Sequence, residues 1–321
     1  MALRLLCWCV AVLIGLQGSA FAQAWPSKPI RVIIPFGAGS ATDVIPRIVF
    51  EPLSAQLGQA IVVENRVGAG GTLGVAAAAT AEADGYTLLA HSNAHTISPA
   101  IYSKLVYDPA GDFAGITPFG AVPNVLIISP SRGIKTIQEL VAASKAKPGT
   151  LNYASVGVGS GTHFSVEKFK LSSGLDAQHI PYKGGPEALT DVIAGRVDFY
   201  FCPINTALPH IRNGNLIALV TSATTRSPEL PDVPTTAEAG YKDADFPIWI
   251  GLMAPAKTSR AIVERLHAET VKAIQLPATQ ERLVKTGVAQ MILKPAEFDA
   301  RIRAEIAANG AVAKAAGIKP N

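Results

Sequence analysis

Gly37-Ala38-Gly39-Ser40-Ala41-Thr42-Asp43 joins an apolar run, Ile30 to Phe36, to a segment with helical apolar spacing. A second stretch, Ser155-Val156-Gly157-Val158-Gly159-Ser160-Gly161-Thr162-His163, does the same after Leu151 to Ala154. A glycine-rich strand-to-helix loop turns several backbone N–H groups, and the positive end of a helix dipole, toward one point. One such loop is either an anion site or simply a tight turn in a wound sheet. Two of them, far apart in sequence, predict a molecule that grips a small anion from both sides.

Working outward, short β-type runs alternate with helical patterns. Ile30 to Ile34, Ile61 to Glu64 and Tyr86 to Ala90 read as strands, separated by a helix ending at Leu57 and by an alanine-rich one from Thr72 to Ala83. This βαβαβ rhythm implies an α/β fold, a parallel sheet with helices on both faces. Pro46 is tolerable near a helix start, whereas Pro52 should kink or interrupt the first helix. The middle third repeats the rhythm: strands at Val125 to Ser129, Asn152 to Ala154, His179 to Tyr182, Val197 to Phe201 and Leu216 to Thr221. A Thr136-x-x-Glu139 capping box opens one helix of this unit, and others follow at His163 to Leu171 and Glu187 to Ala194. A strand from Trp249 to Ala254 and helices between Ser259 and Ala316 complete the chain. The expected organisation is lobe 1 from 23–122 and 227–321, with lobe 2, 123–226, inserted and joined by crossings near 122 and 226.

The 321 residues begin with Arg4, an apolar Leu5 to Leu16 and the small residues of Ala20-Phe21-Ala22. This is the pattern of an export signal removed near Ala22, so residues 1–22 should be lost and the mature protein should be periplasmic. The apolar stretch is too short for a good membrane span. Of three cysteines, Cys7 and Cys9 lie in the signal, and Cys202 alone cannot form an intrachain disulfide. About 300 remaining residues exceed the size at which one core keeps growing, which favours two lobes. Charged residues are 16% of the chain, without basic runs, and this argues against nucleic acid.

Nucleotide motifs fail. No Gly-Lys-Ser/Thr triplet occurs, and Thr42, Leu73 and Thr162 occupy the third glycine position of Gly-x-Gly-x-x-Gly. Asp43 reads as a first-turn carboxylate serving its own helix. Val158 breaks the nucleophile-elbow pattern at Ser160, and the spacing of His91 and His95 at a strand end is a weak metal signal. No metal and no cofactor is therefore expected. A second reading pairs His163 with Cys202 in an exported hydrolase or isomerase. Against it, a lone cysteine after an apolar strand is usually a buried, inert thiol, and His163 fits an orienting or capping role. Lys183-Gly184-Gly185-Pro186 reads as a solvated turn before a helix, with Tyr182 placed to wall a pocket.

The order of these motifs resembles the Bug/TctC family of extracytoplasmic solute receptors. The likeness runs through Pro35 to Asp43, Val62 to Arg66 with Gly68 to Gly71, Asp84 to Leu89, Tyr107-Asp108-Pro109, Ser155 to His163, Pro181 to Gly185, Pro231 to Thr235 and Trp249 to Pro255. It implies a type II-like periplasmic-binding-protein fold of two hinged lobes, each a mixed, mostly parallel sheet, with no catalysis. It also implies a small mono- or dicarboxylate ligand, held largely by main-chain amides and small polar groups, and delivery to the membrane subunits of a tripartite tricarboxylate-type transporter. A monomer is implied, and a receptor of this fold feeding a signalling kinase stays open. Carried over onto this chain, the first-lobe contacts are Ala38, Gly39, Ser40, Ala41, Thr42, Ser92 and Asn93. Those of the second lobe are Ser155, Val156, Gly157, Gly159, Ser160, Thr162, Tyr182 and Asn205. Ser40 stands where the family usually has glycine, and Cys202 where aspartate is common, which argues against an ammonium-bearing ligand.

Overall fold

A computed structural model describes residues 25–320, so the expected export signal lies outside the described residues. The first lobe begins with β1 (Ile30–Ile34), α1 (Ala41–Leu57), β2 (Ile61–Asn65), α2 (Thr72–Ala79), β3 (Thr87–Ser92), α3 (Ala94–Ile101) and β4 (Phe113–Val122). The chain crosses at Pro123 into β5 (Asn124–Ile128), α4 (Ile137–Ala146), β6 (Leu151–Ser155), α5 (Gly161–Ser173), β7 (Ala177–Pro181), α6 (Gly185–Ile193), β8 (Phe199–Pro203), α7 (Ile204–Arg212) and β9 (Ile217–Thr221). It returns as β10 (Ile248–Pro255) and ends with α8 (Arg260–Gln275), α9 (Pro277–Lys285) and α10 (Pro295–Ala315).

The sheets have equivalent topologies, β2-β1-β3-β10-β4 and β7-β6-β8-β5-β9. In each, three neighbours pair in parallel and one strand, β10 or β5, runs antiparallel to both its partners. That strand is the one arriving from the other lobe. It enters at the edge where the parallel strands end, so it must run against them.

Alternation along the strands covers both faces. Val32 and Ile34 of β1 pack with Val49 and Leu53 of α1, while Ile33 packs with Val75 of α2 and Phe298 of α10. In the second lobe Phe199 and Phe201 face Leu140 of α4 and Phe169 of α5, while Tyr200 and Cys202 face Leu189 of α6 and Ala207 of α7. Strands covered on both sides must be apolar throughout, and β5 is buried at all five positions.

The hinge is tightly pinned. Ser222 N–H donates to Asn124 O (2.8 Å), Asn124 N–H to Ser222 Oγ (3.0 Å) and Phe246 N–H to Ser222 O (2.9 Å). The second crossing therefore lies near 246. Residues from 227 onward were expected in lobe 1, but Thr235 bridges Thr221 of β9, and Ala239, Tyr241 and Ala244 pack on the second core.

Several elements depart from the sequence pattern. α1 runs unbroken past Pro52, because Leu53 and Leu57 remain buried on the sheet and packing outweighs one lost hydrogen bond. β4 escaped notice because Gly115, Pro118 and Gly120 interrupt its pattern; its register against β10 shifts at Ile250/Gly251 and Leu252/Met253. Pro99 and Pro209 similarly disguised α3 and α7. At α4, Thr136 Oγ1 accepts Glu139 N–H as the capping box requires, but the Glu139 carboxylate accepts from Lys135 N–H (2.7 Å).

Candidate ligand-binding site

A cavity of about 240 Å³ lies between the lobes, where the parallel strands of both sheets end. Five helices begin beside it. Ser40, Ala41 and Thr42 open α1, Ser92 precedes the start of α3, and Ser160, Gly161 and Thr162 open α5. Gly184 and Gly185 open α6, and Pro203 and Thr206 belong to the first turn of α7. Each helix end carries roughly half a positive charge in unsatisfied N–H groups. Among the described residues lining the cavity, none is acidic, and exposed Lys183 is the one charged side chain. The site is electropositive without an arginine.

Accounting for the loop amides narrows which of them can meet a ligand. Gly39 N–H donates to Asp43 Oδ2 (2.9 Å) and Ser40 N–H to Gly37 O (3.2 Å). In the second loop Val156 N–H donates to Thr162 Oγ1 (3.1 Å), Gly157 N–H to Ser155 Oγ (3.0 Å) and Ser160 N–H to Gly157 O (3.2 Å). Within the described chain, the N–H groups of Ala41, Thr42, Gly161 and Thr162 find no partner. Among the described residues, partnerless donors therefore lie in the first helical turns of α1 and α5, and also at Gly37 and Ala38 in the loop before α1 and at Gly184 and Gly185 where α6 opens.

Nine of the anticipated residues line the cavity: Ala38, Gly39, Ser40, Ala41, Thr42, Ser92, Val156, Ser160 and Thr162. Six do not. Asn93 sits at the seam, its Oδ1 2.9 Å from where a Cβ on Gly161 would be. Ser155 lies below its loop, Oγ 2.6 Å from His179 Nε2. Gly157 supplies the carbonyl that accepts from Ser160 Oγ (2.7 Å), and Gly159, at φ +78°, packs against Ile101 of the other lobe. Tyr182 turns away to donate to Asp191 Oδ2 (2.6 Å). Asn205 is replaced at the wall by its neighbour Thr206.

The sequence reading missed Phe36, Val122, Tyr200, Pro203 and Ile248 on the walls, together with the Lys183–Pro186 loop. That loop repeats the pattern of strand, glycines and helix, a signal that could have promoted it from a solvated turn. Tyr200 carried no such signal, being one aromatic in an apolar strand.

Residues 45–318 match the tripartite tricarboxylate transporter family receptor. The chain belongs to this receptor family. BugT of Bordetella pertussis is 34% identical over 307 residues, covering 95% of this chain and 94% of that protein. The structure of R. palustris Rpa4515 with adipate superposes with a TM-score of 0.87 at 30% identity, covering 92% of this chain and 100% of that one. MatC (Rpa3494) of Rhodopseudomonas palustris with bound malate gives 0.82 at 31%, covering 90% and 99%.

Receptor membership removes the thiol-enzyme reading, and the geometry explains His163 and Cys202 otherwise. Cys202 is fully buried among the α6 and α7 contacts, and burial pushes its thiol up, away from a reactive thiolate. His163 Nδ1 accepts the Gly159 N–H (3.2 Å), which an amide can donate only to a neutral ring nitrogen. His163 stacks on His179 at 4.1 Å, and His179 on Tyr153 at 4.9 Å. Burial holds His163 down at about 4, with nearby Lys170 acting the same way. His179 falls to about 3 through burial and the adjacent His163, with Glu167 opposing. These rings are struts beneath the receptor's second loop. Asp43 plays the same part beneath the first. Burial raises its pKa, but bonds from Asn65 and Gly39 and the Arg47 guanidinium outweigh that and leave it below the usual value. His91 and His95 form a buried T-shaped pair at 5.7 Å, and among the described residues no group of three or more metal-ligating side chains assembles.

Proposed function

We propose that this receptor is exported, loses residues 1–22, and captures a small mono- or dicarboxylate in the periplasm by closing its lobes. The loaded form then docks on the membrane subunits of a tripartite tricarboxylate-type transporter, with the receptor acting as a monomer. The observation that carries this reading is the convergence of five helix N-termini on an interlobe cavity with no acidic side chain among its described lining. The neighbours Rpa4515 and MatC carry adipate and malate, and the feature these share, an anionic carboxylate, is what such a donor set holds. Hydrogen bonds to charged groups contribute about 1.5–3 kcal/mol each, and micromolar affinity needs about 8 kcal/mol. Four or five amide and hydroxyl donors therefore suffice after closure costs.

No described helix is long and apolar enough to cross a membrane. Contacts across the seam support closure about the 123 and 246 crossings: Ile97 and Ile101 of α3 share an apolar cluster with Phe164 of α5 and Ala313 of α10. The test is a thermal-shift screen of the mature protein against organic acids, followed by calorimetry and solution scattering. A raised melting temperature with a smaller radius of gyration is expected for at least one acid. Indifference to every acid offered would sink the proposal.

A further inference from the structure

Two hydroxyls at the cavity break the rule that buried polar groups are paired. Tyr200 is fully buried, and the polar group close to its hydroxyl, Thr162 at the start of α5, does not meet it in hydrogen-bond geometry. The hydroxyl lies 3.9 Å from where a Cβ on Gly185 would sit at the start of α6. Across the cavity, Ser40 occupies the N-cap of α1 yet makes no cap hydrogen bond, and its Oγ is equally shielded and partnerless. Its counterpart at α5, Ser160, does cap, accepting from His163 N–H. A buried hydroxyl left unpaired destabilises the closed form, so its persistence there needs a partner that arrives with closure.

The rest of the wall narrows that partner. Phe36, Val122, Val156, Pro186 and Ile248 present hydrocarbon, and among the described lining residues there is no carboxylate, side-chain amide or guanidinium. A ligand ammonium would meet no counter-charge, and hydroxyls along a ligand's body would have only the few hydroxyls of Thr42, Ser92 and Thr206 beyond the donors at the carboxylate, against a wall that is mostly hydrocarbon. On the scale of an apolar cavity of about 150 Å³ that holds benzene, one of about 240 Å³ takes a six-carbon body plus a carboxylate.

Resting on the receptor reading above, we infer that the site selects a carboxylic acid with a hydrocarbon body, and that Tyr200 is a specificity-determining residue donating its hydroxyl to that carboxylate. Ser40 donates from the opposite lobe, so the acid bridges α1 to α5 and α6.

Calorimetric titration of the mature protein with benzoate, hexanoate, adipate, tartrate, citrate and glutamate tests the ligand class. At least one of the first three should bind about tenfold or more tighter than any of the last three, since each unmet polar group costs about that factor. If tartrate, citrate or glutamate binds as tightly, the hydrocarbon-body inference is wrong; if none of the six binds, the receptor reading itself is in question. Tyr200→Phe, titrated with the tightest acid, should lose about tenfold to a hundredfold in affinity. Its ligand-free melting temperature should hold or rise, because an unpaired buried hydroxyl has been removed. Unchanged affinity overturns the role of Tyr200. A lowered ligand-free melting temperature also overturns it, because the hydroxyl would then serve the fold.

Discussion

Gly161→Ala is the sharpest test of closure, because the clash it creates lies between the lobes. Gly161 is the first residue of α5 in lobe 2, while Asn93 and Ile248 belong to the opposing lobe. A Cβ on Gly161 would stand 2.8 Å from both Cδ1 and Cγ1 of Ile248 and 2.9 Å from Asn93 Oδ1. Those contacts fall about 0.5 Å or more short of the 3.4 Å at which ordinary van der Waals contact begins, and rotating the Ile248 tip relieves only the one to Cδ1. Overpacking of this size costs about 1–3 kcal/mol. The free protein avoids it by parting the lobes, so the cost falls on the bound form and weakens the dissociation constant roughly 5- to 150-fold. The Gly161 N–H is retained, and alanine suits a helix interior better than glycine by up to about 1 kcal/mol, so the unliganded fold should not suffer. Calorimetry gives the affinity, and scattering with saturating acid gives the compaction. Wild-type affinity in Gly161→Ala, with full compaction, would refute the idea that the ligand is held by this closed seam.

Acid should loosen the second lobe. The pKa of His163 is depressed from about 6.5 unfolded to about 4 folded, so its contribution is complete above pH 6.5 and is lost as pH falls toward 4. That lost stability is about 3 kcal/mol, read as a falling urea midpoint, and His163→Asn, which keeps an acceptor for Gly159 without the titration, should remove that share of the fall and leave the share due to the buried His179. Cys202→Ala should leave acid binding unchanged and cost about 1 kcal/mol of stability, while alkylating reagents should reach the native thiol only on unfolding.

The wound α/β lobes were legible in the sequence because strands covered on both faces carry continuous apolar runs, and Val32 to Ile34 of β1, Leu88 to Ala90 of β3, Val125 to Ile128 of β5 and Phe199 to Cys202 of β8 announce themselves that way. β4 was illegible for the opposite reason: Gly115, Pro118 and Gly120 are needed for its irregular pairing with β10, and they look like turn residues. At the site, the two opening loops were identifiable by chemistry, since glycine followed by serine or threonine at a helix start has few other uses. Which members face the guest was not. Ser155 and Gly157 belong to the same motif as Ser160 and Thr162, yet hydrogen bonds local to the loop and His179 hold them below it. Tyr200 could be found only from the fold, because its meaning comes from α5 and α6 starting on either side of it.

The same amide accounting explains why the loops need buried struts. A glycine-rich loop has many conformations, and fixing one costs about 1–2 kcal/mol per residue in backbone entropy. If each ligand had to meet that cost, little of its hydrogen-bond energy would remain for affinity. Asp43 and His163 meet it in advance, by capturing Gly39 N–H and Gly159 N–H respectively. The sacrifice of those donors is small, because neighbouring first-turn amides at Ala41, Thr42, Gly161 and Thr162 stay free and better aligned with the helix dipoles. Using uncharged donors also spares the closed form a strong ion pair that lobe opening would have to break. A rigid rim of neutral donors therefore combines tight capture with easy release, as the proposed capture and delivery require.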